Sequence, residues 1–347
     1  MRPHLRALVT ATPPHEVSQA EALELAAQLY PELAAVPRLA KVFPNSGIRR
    51  RYLARPPEWL AQGHDFATRN AAWIETAEQL GREVITAALS AAALSPGDLD
   101  ALVFVTTTGL RTPSLDARWI DSLGLPRHVT RLPVWGLGCA GGAAGLGRAA
   151  DLVRAGKRHV LLVVIECCSL TFVREDARRS NFTATALFGD GAAAAVLSAE
   201  GPGPLVRGSA SHLLADSDDI MGWDLAPEGL RVRFARDIPN LVSRHVPDSL
   251  AAACVALGTT VEEVAHHVVH PGGPKVLAAY EGVLGMPEGA LNAAREVLAE
   301  YGNMSAPTVL FVLERMLRQG MTPGLAALTA MGPGFSIDHV LLEVPGP

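Results

Sequence analysis

Cysteine is scarce and unpatterned in this chain. The four present, Cys139, Cys167, Cys168 and Cys254, form no CxxC pair and no disulfide framework for 347 residues. That spacing excludes a zinc ribbon or finger and points to reduced thiols. Charge is also sparse, at 19% Asp, Glu, Lys and Arg with a net −5. No dense basic run occurs beyond "RRRY" at Arg49–Tyr52, which excludes a typical nucleic-acid binder. That short run is either a solvated loop edge or a seat for a local anionic ligand. No apolar stretch approaches the ~20 residues of a membrane helix. The opening "MRPHLRALVTATPP" has no long hydrophobic region or cleavage site of a secretory leader. The expectation is a cytoplasmic protein with no membrane span.

What is present is a large apolar fraction, 49%, enough for an extensive core. Strand-like and helix-like stretches alternate, as in α/β proteins. "ALVFVTTT" (Ala101–Thr108), "HVLLVVIEC" and "AAAAVLSA" read as buried strands. "TAEQLGREVITAALSAAAL" and "GGAAGLGRAADLVRAG" read as helices, the second stopping at Gly156. "SQAEALELAAQLYPEL" opens on a Ser cap candidate. After a Gly/Pro break at Ser198–Gly208 a second cycle follows: "HHVVHPGG" as strand and turn, "PKVLAAYEGVLG" and "PTVLFVLERMLRQG" as helices, "HVLLEV" as the closing strand. The break predicts two similar parts, residues 1–205 and 206–347.

Three residues stand where a turn joins such elements. Cys139 lies among glycines 138, 141 and 142 in "VWGLGCAGGAAGL". Glycine permits close backbone approach there, and the start of a helix lowers a thiol pKa. The alternative is an inert buried thiol. His270 closes an apolar run and precedes the rigid Pro-Gly-Gly-Pro turn. It is either poised to act or satisfied by a backbone carbonyl. His266 and His267 fall inside the strand run and read as structural. Asn303, in "YGNMSAPTVL", precedes a helix that it or Ser305 could cap. Taken together, Cys, His and an amide are a catalytic set: a nucleophile, a partner for its thiolate, and two donors for an oxyanion.

Five ordered stretches extend this pattern: "GLGCAGGAAGL", "ALFGDGAAAAVL", "HPGGPKVL", "YGNMSAPTVLFVL" and "MGPGFSIDHVLLE". With them the chain resembles the type III polyketide synthases, the chalcone-synthase-like branch of the thiolase superfamily. The resemblance implies a five-layered αβαβα fold of two pseudo-equivalent halves, in a homodimer. The N-terminal half carries the nucleophile and the C-terminal half carries His270 and Asn303. No cofactor is implied; acyl-CoA and malonyl-CoA are substrates. Cys139 is expected to hold the acyl starter as a thioester. His270 and Asn303 are expected to hold the malonyl thioester carbonyl while CO₂ leaves. The resulting enolate extends the chain, which then cyclises. The family pattern assigns Phe188 as a gate, with Thr107, Thr112, Cys168, Thr171, Trp223 and Ser305 around the cavity. Arg38, Lys41 and Lys275 are expected to meet CoA phosphates.

The chain departs from the plant pattern. Cys139 is followed directly by Ala140. Thr112 stands where plant enzymes send a methionine into the neighbouring subunit, and Trp223 replaces a small glycine. These choices resemble bacterial members, notably alkylpyrone and alkylresorcinol makers. The competing expectation on the same fold is an initiating ketoacyl synthase that performs one condensation with a carrier-protein substrate. Classical thiolases need a second cysteine near the C-terminus, and Cys254 is the last here. A papain-type hydrolase and a non-enzymatic scaffold fit the pattern less well.

Overall fold

The computed structural model describes residues 1–235 and 237–346. Its centre is a nine-stranded mixed sheet. Five strands come from the first part of the chain: β1 (His4–Ala11), β4 (Ala101–Thr106), β5 (Thr130–Trp135), β6 (His159–Cys167) and β7 (Asp190–Ser198). Four come from the second: β8 (Leu205–Leu213), β11 (Val264–Val269), β12 (Gly324–Gly332) and β13 (Ser336–Val344). Two small hairpin sheets lie outside, β2 (His15–Ser18) with β3 (Arg50–Leu53), and β9 (Met221–Ala226) with β10 (Gly229–Phe234).

The two runs of strands repeat one pairing pattern. In the first, β1–β7 and β7–β6 are antiparallel, then β6–β4 is parallel. In the second, β8–β13 and β13–β12 are antiparallel, then β12–β11 is parallel. A single pair, His4 opposite Leu205, joins the runs. Helices Gly141–Arg154 and Thr308–Gln319 each precede the equivalent strand, β6 or β12, and pack on each other and on strands of both runs. Helix Phe66–Ala91 covers the far face of β1, β7 and β6, and helix Ile238–Ala256 covers β13 and β8. The layers are therefore helix, sheet, helix, sheet, helix.

Side-chain alternation explains the layering. Along β4, Ala101, Val103 and Val105 enter the inner core, while Leu102 and Phe104 enter the outer one. β6 divides in the same way, with Val160, Leu162 and Val164 inward and Leu161, Val163 and Ile165 outward. A strand buried on both faces must be apolar at every position, which is why these runs are continuous rather than alternating. Ser18 caps the first helix, Gln19–Leu29, through a capping box with Glu21.

Three differences from the sequence expectation are local. The strand expected over Ala101–Thr108 ends at Thr106, because Thr107 and Thr108 turn their N–H groups to the Glu166 carboxylate. β5, β8 and the hairpin β9–β10 are amphipathic or short, with no apolar run to announce them. β12 was hidden by its small residues and by the glycines at both ends.

Candidate active site

Cys139 sits in a tight 3-10 turn, Gly138–Ala140, that leads into helix Gly141–Arg154. Gly138 has φ 47°, and a β-carbon there would stand 2.6 Å from Pro333. Only glycine meets both demands. The Gly138 N–H donates to Thr107 Oγ1 at 3.0 Å, which ties the turn to the end of β4. Gly142 allows the helix to approach the chain before Thr308–Gln319; a β-carbon would lie 2.3 Å from the Ala306 carbonyl oxygen. The glycines around the thiol are thus packing devices that press the Cys139 turn against the turn that holds Asn303.

Asn303 is fixed from both sides. Its N–H donates to Leu187 O at 2.8 Å, and its carbonyl accepts from Gly189 N at 3.0 Å. Its side-chain Oδ1 accepts from Ser305 N at 2.8 Å and lies 4.0 Å from Cys139 Sγ. Among the described residues the Nδ2 group makes only a 3.5 Å contact with Gly272 O, leaving donor capacity toward the cavity. Ser305, at φ 59°, places its hydroxyl 3.5 Å from Cys139 Sγ. His270 directly follows β11, and its backbone N–H donates to Thr329 O at 2.9 Å. Both ring nitrogens are buried, and neither has a partner among the described residues. A buried polar group is ordinarily satisfied, so this imidazole is available to a ligand.

Cys139, His270 and Asn303 line one cavity of about 440 Å³. Leu187, Met221, Phe234, Ile238 and Met331 supply apolar wall, and Arg38, Lys41 and Lys275, all exposed, stand on its rim. The other expected residues are placed differently. Thr107 is buried one bond behind the cysteine turn. Phe188 packs against Trp223 and Phe234, with ring centroids 6.3 and 5.6 Å away, and only Phe234 of the three reaches the cavity. Cys168 is fully buried in the outer core, and Thr171 donates to its carbonyl at 2.7 Å beside a separate cleft at Arg69. Thr112 is exposed and outside the cavity.

The electrostatics correct one expectation. Burial pushes the Cys139 thiol up to about 11, against the pull of the Ser305 and Asn303 contacts, and nearby Glu166 adds to the rise. Desolvation in this site outweighs a helix terminus that begins with a 3-10 turn. Burial likewise pushes His270 down to about 3, so each group is neutral when taken alone. Glu166 carried no signal in the sequence, standing inside a strand run. Its buried carboxyl is raised to about 7 by desolvation, while Thr107 and Thr108 donors hold it partly back.

A family model for the N-terminal domain of chalcone and stilbene synthases matches residues 2–202, and the model for their C-terminal domain matches residues 205–345. The chain belongs to the chalcone and stilbene synthase family, the type III polyketide synthases. It is 41% identical to a 1,3,6,8-tetrahydroxynaphthalene synthase of Streptomyces peucetius over 97% of this chain and 92% of that one. It is 36% identical to a putative chalcone synthase of Bacillus subtilis, over 96% of each. Among solved structures, the tetrahydroxynaphthalene synthase of Streptomyces coelicolor, a bacterial type III polyketide synthase, superposes with a TM-score of 0.94 at 28% identity, covering 99% of this chain and 100% of that one. This family member is therefore an acyltransferase with the thiolase-like fold; an initiating ketoacyl synthase is not favoured.

Proposed function

We propose that Cys139, His270 and Asn303 carry out decarboxylative condensation of malonyl-CoA onto an acyl starter, followed by cyclisation to a pyrone, resorcinol or related aromatic product. The observation that carries this reading is the convergence of the three on one cavity with basic residues at its mouth. Cys139 Sγ attacks the acyl-CoA carbonyl, and the CoA thiolate leaves. A proton passed from the thiol to His270 makes an ion pair whose attraction in a water-poor cavity offsets the desolvation that keeps each group neutral alone. In the next step the malonyl thioester oxygen accepts from the imidazole N–H and the Asn303 amide. The C–CO₂ bond breaks, CO₂ departs, and its electron pair enters the enolate held by those donors. The enolate carbon attacks the acyl-cysteine carbonyl and releases Cys139.

No cofactor enters this scheme. Arg38, Lys41 and Lys275 meet the CoA phosphates, and Phe188 sets the passage through its contact with Phe234. Thr107, Ser305, Cys168, Thr171 and Trp223 shape the walls or their backing, and Thr112 acts at the neighbouring subunit of a homodimer. We place the division of the chain at residues 1–205 and 206–347, and the enzyme in the cytoplasm. A cavity of about 440 Å³ suits a small-molecule product, and relatives named for their products make tetrahydroxynaphthalene and 3,5-dihydroxyphenylacetyl-CoA.

The test is intact-protein mass spectrometry of wild type and Cys139→Ala with a panel of acyl-CoAs, followed by malonyl-CoA and product analysis. An acyl adduct on the wild type alone, then a cyclised product, is the expected outcome. One extension without cyclisation returns the ketoacyl synthase, and no adduct with any acyl-CoA sinks the reading.

A further inference from the structure

Arg51, in the middle of β3, is 1% exposed, yet among the described residues no carboxylate accepts from its guanidinium. Nη1 donates to Thr185 O at 2.9 Å and to Phe188 O at 2.8 Å. Nη2 donates to Ala186 O at 2.9 Å and to Gln19 Oε1. Gln19 in turn donates to the same Ala186 carbonyl at 3.1 Å, and to Ser46 Oγ at 2.8 Å. Burying a charge is costly, so its placement needs a reason. The carbonyls it gathers are those left open at the C-terminal end of helix Arg179–Leu187, where a cation also complements the helix dipole. Asp190 is close enough to act on the guanidinium electrostatically, and its carboxylate is occupied by Ser169 and Ala54 N–H groups.

The segment so held is the one that registers Asn303. Leu187 O and Gly189 N are the two backbone partners of Asn303, on either side of the Phe188 carbonyl that Arg51 grips. Leu187 and Thr183 of the same helix form cavity wall. We propose that Arg51, oriented by Gln19, is a positioning residue for the decarboxylation step: it locks residues 185–189 so that the Asn303 amide stands at the oxyanion. This rests on the role proposed above for Asn303. The nucleophilic turn is tied instead to Thr107 by the Gly138 N–H and packs closely against Pro333, and among the described residues it makes no hydrogen bond to Arg51.

That separation supplies the test. Starter acylation of Cys139 is read by intact mass, and malonyl-CoA decarboxylation by CO₂ release, in wild type, Arg51→Met, Arg51→Lys and Gln19→Ala. A displacement of the amide by about 1 Å lowers a rate on the order of 100-fold. Arg51→Met is therefore expected to lose about 100-fold in decarboxylation kcat, with acylation within about 3-fold of wild type. Arg51→Lys, which keeps charge but not the fork, recovers only part of the loss, and Gln19→Ala loses less. If Arg51→Met does not fold, Arg51→Lys and Gln19→Ala decide, provided their Tm lies within about 3 °C of wild type. Equal losses in acylation and decarboxylation overturn the proposal in favour of a general structural role, as does full decarboxylation in Arg51→Met or, where that variant does not fold, in Arg51→Lys and Gln19→Ala. A wild type that neither acylates nor decarboxylates overturns the role of Asn303 and this proposal with it; an active wild type with unaffected variants overturns this proposal alone.

Discussion

At the scale of the residue, burial decides the chemistry. His270 is 2% exposed, its two ring nitrogens have no partner among the described residues, and burial favours its neutral form. A neutral ring still offers one N–H, which is what an enolate oxygen requires. His270→Ala and Asn303→Ala are expected to lower malonyl-CoA decarboxylation by roughly 10²–10³-fold each; His270→Ala also slows Cys139 acylation because the acceptor of the thiol proton is gone, whereas Asn303→Ala leaves acylation open, and CO₂ release and intact mass read the two steps separately. Glu166 gives a stability test. Its folded pKa, about 7, lies above the unfolded carboxyl value of about 4.5. Between those values the folded state holds the proton more tightly, so rising pH removes stability from the wild type. Glu166→Gln lacks that dependence and can present its carbonyl to the Thr107 and Thr108 donors that Oε2 now serves. Relative to wild type it is expected to gain roughly 2–3 kcal/mol between pH 4.5 and 7.5, read from denaturant melts at the two pH values. A constant difference between the variants refutes the burial argument.

At the scale of the element, close helix packing sets the site. Helix Gly141–Arg154 is squeezed between strands of both runs, and its glycines face Val105, Leu162, Ala306 and Ser209. Gly142→Ala drives a β-carbon into a backbone oxygen at 2.3 Å, which cannot rotate away. The expected loss is about 1–3 kcal/mol of stability, since the Cys139 and Asn303 turns are pushed apart. Gly282, within helix Pro274–Val283, has no heavy atom near a β-carbon. Gly282→Ala should instead stabilise by about 0.5–1 kcal/mol. Thermal melts of the pair separate packing from propensity, and similar shifts of the same sign would contradict the account.

At the scale of the whole molecule, β5 and β11 are the open edges of the sheet. β5 ends at Trp135, 49% exposed, whose indole donates to Gly109 O beside half-exposed Leu110. Trp135 on this edge and Leu110 beside it are apolar surface that the proposed homodimer would cover. Light scattering is expected to give a dimer, and Trp135→Asp to weaken it at least about tenfold. A wild-type monomer at micromolar concentration would remove the second copy from the scheme.

The amino-acid sequence by itself determined the α/β alternation, the buried strands β4, β6 and β7 and the capped first helix, and it offered Cys139, His270 and Asn303 as one candidate set, which the structure brings to a single cavity. Each is written locally, in apolar period or in glycine and proline punctuation around a reactive side chain, and five ordered motifs tied them to one family. Only the tertiary structure decided how far apart they stand and what surrounds them. The cavity wall from Met221 and Phe234, the carboxyl of Glu166, the neutral state of the thiol and imidazole, and the grip of Arg51 on residues 185–189 depend on segments distant in the chain. Desolvation and hydrogen-bond register are properties of neighbours in space, and no local pattern of residues encodes them.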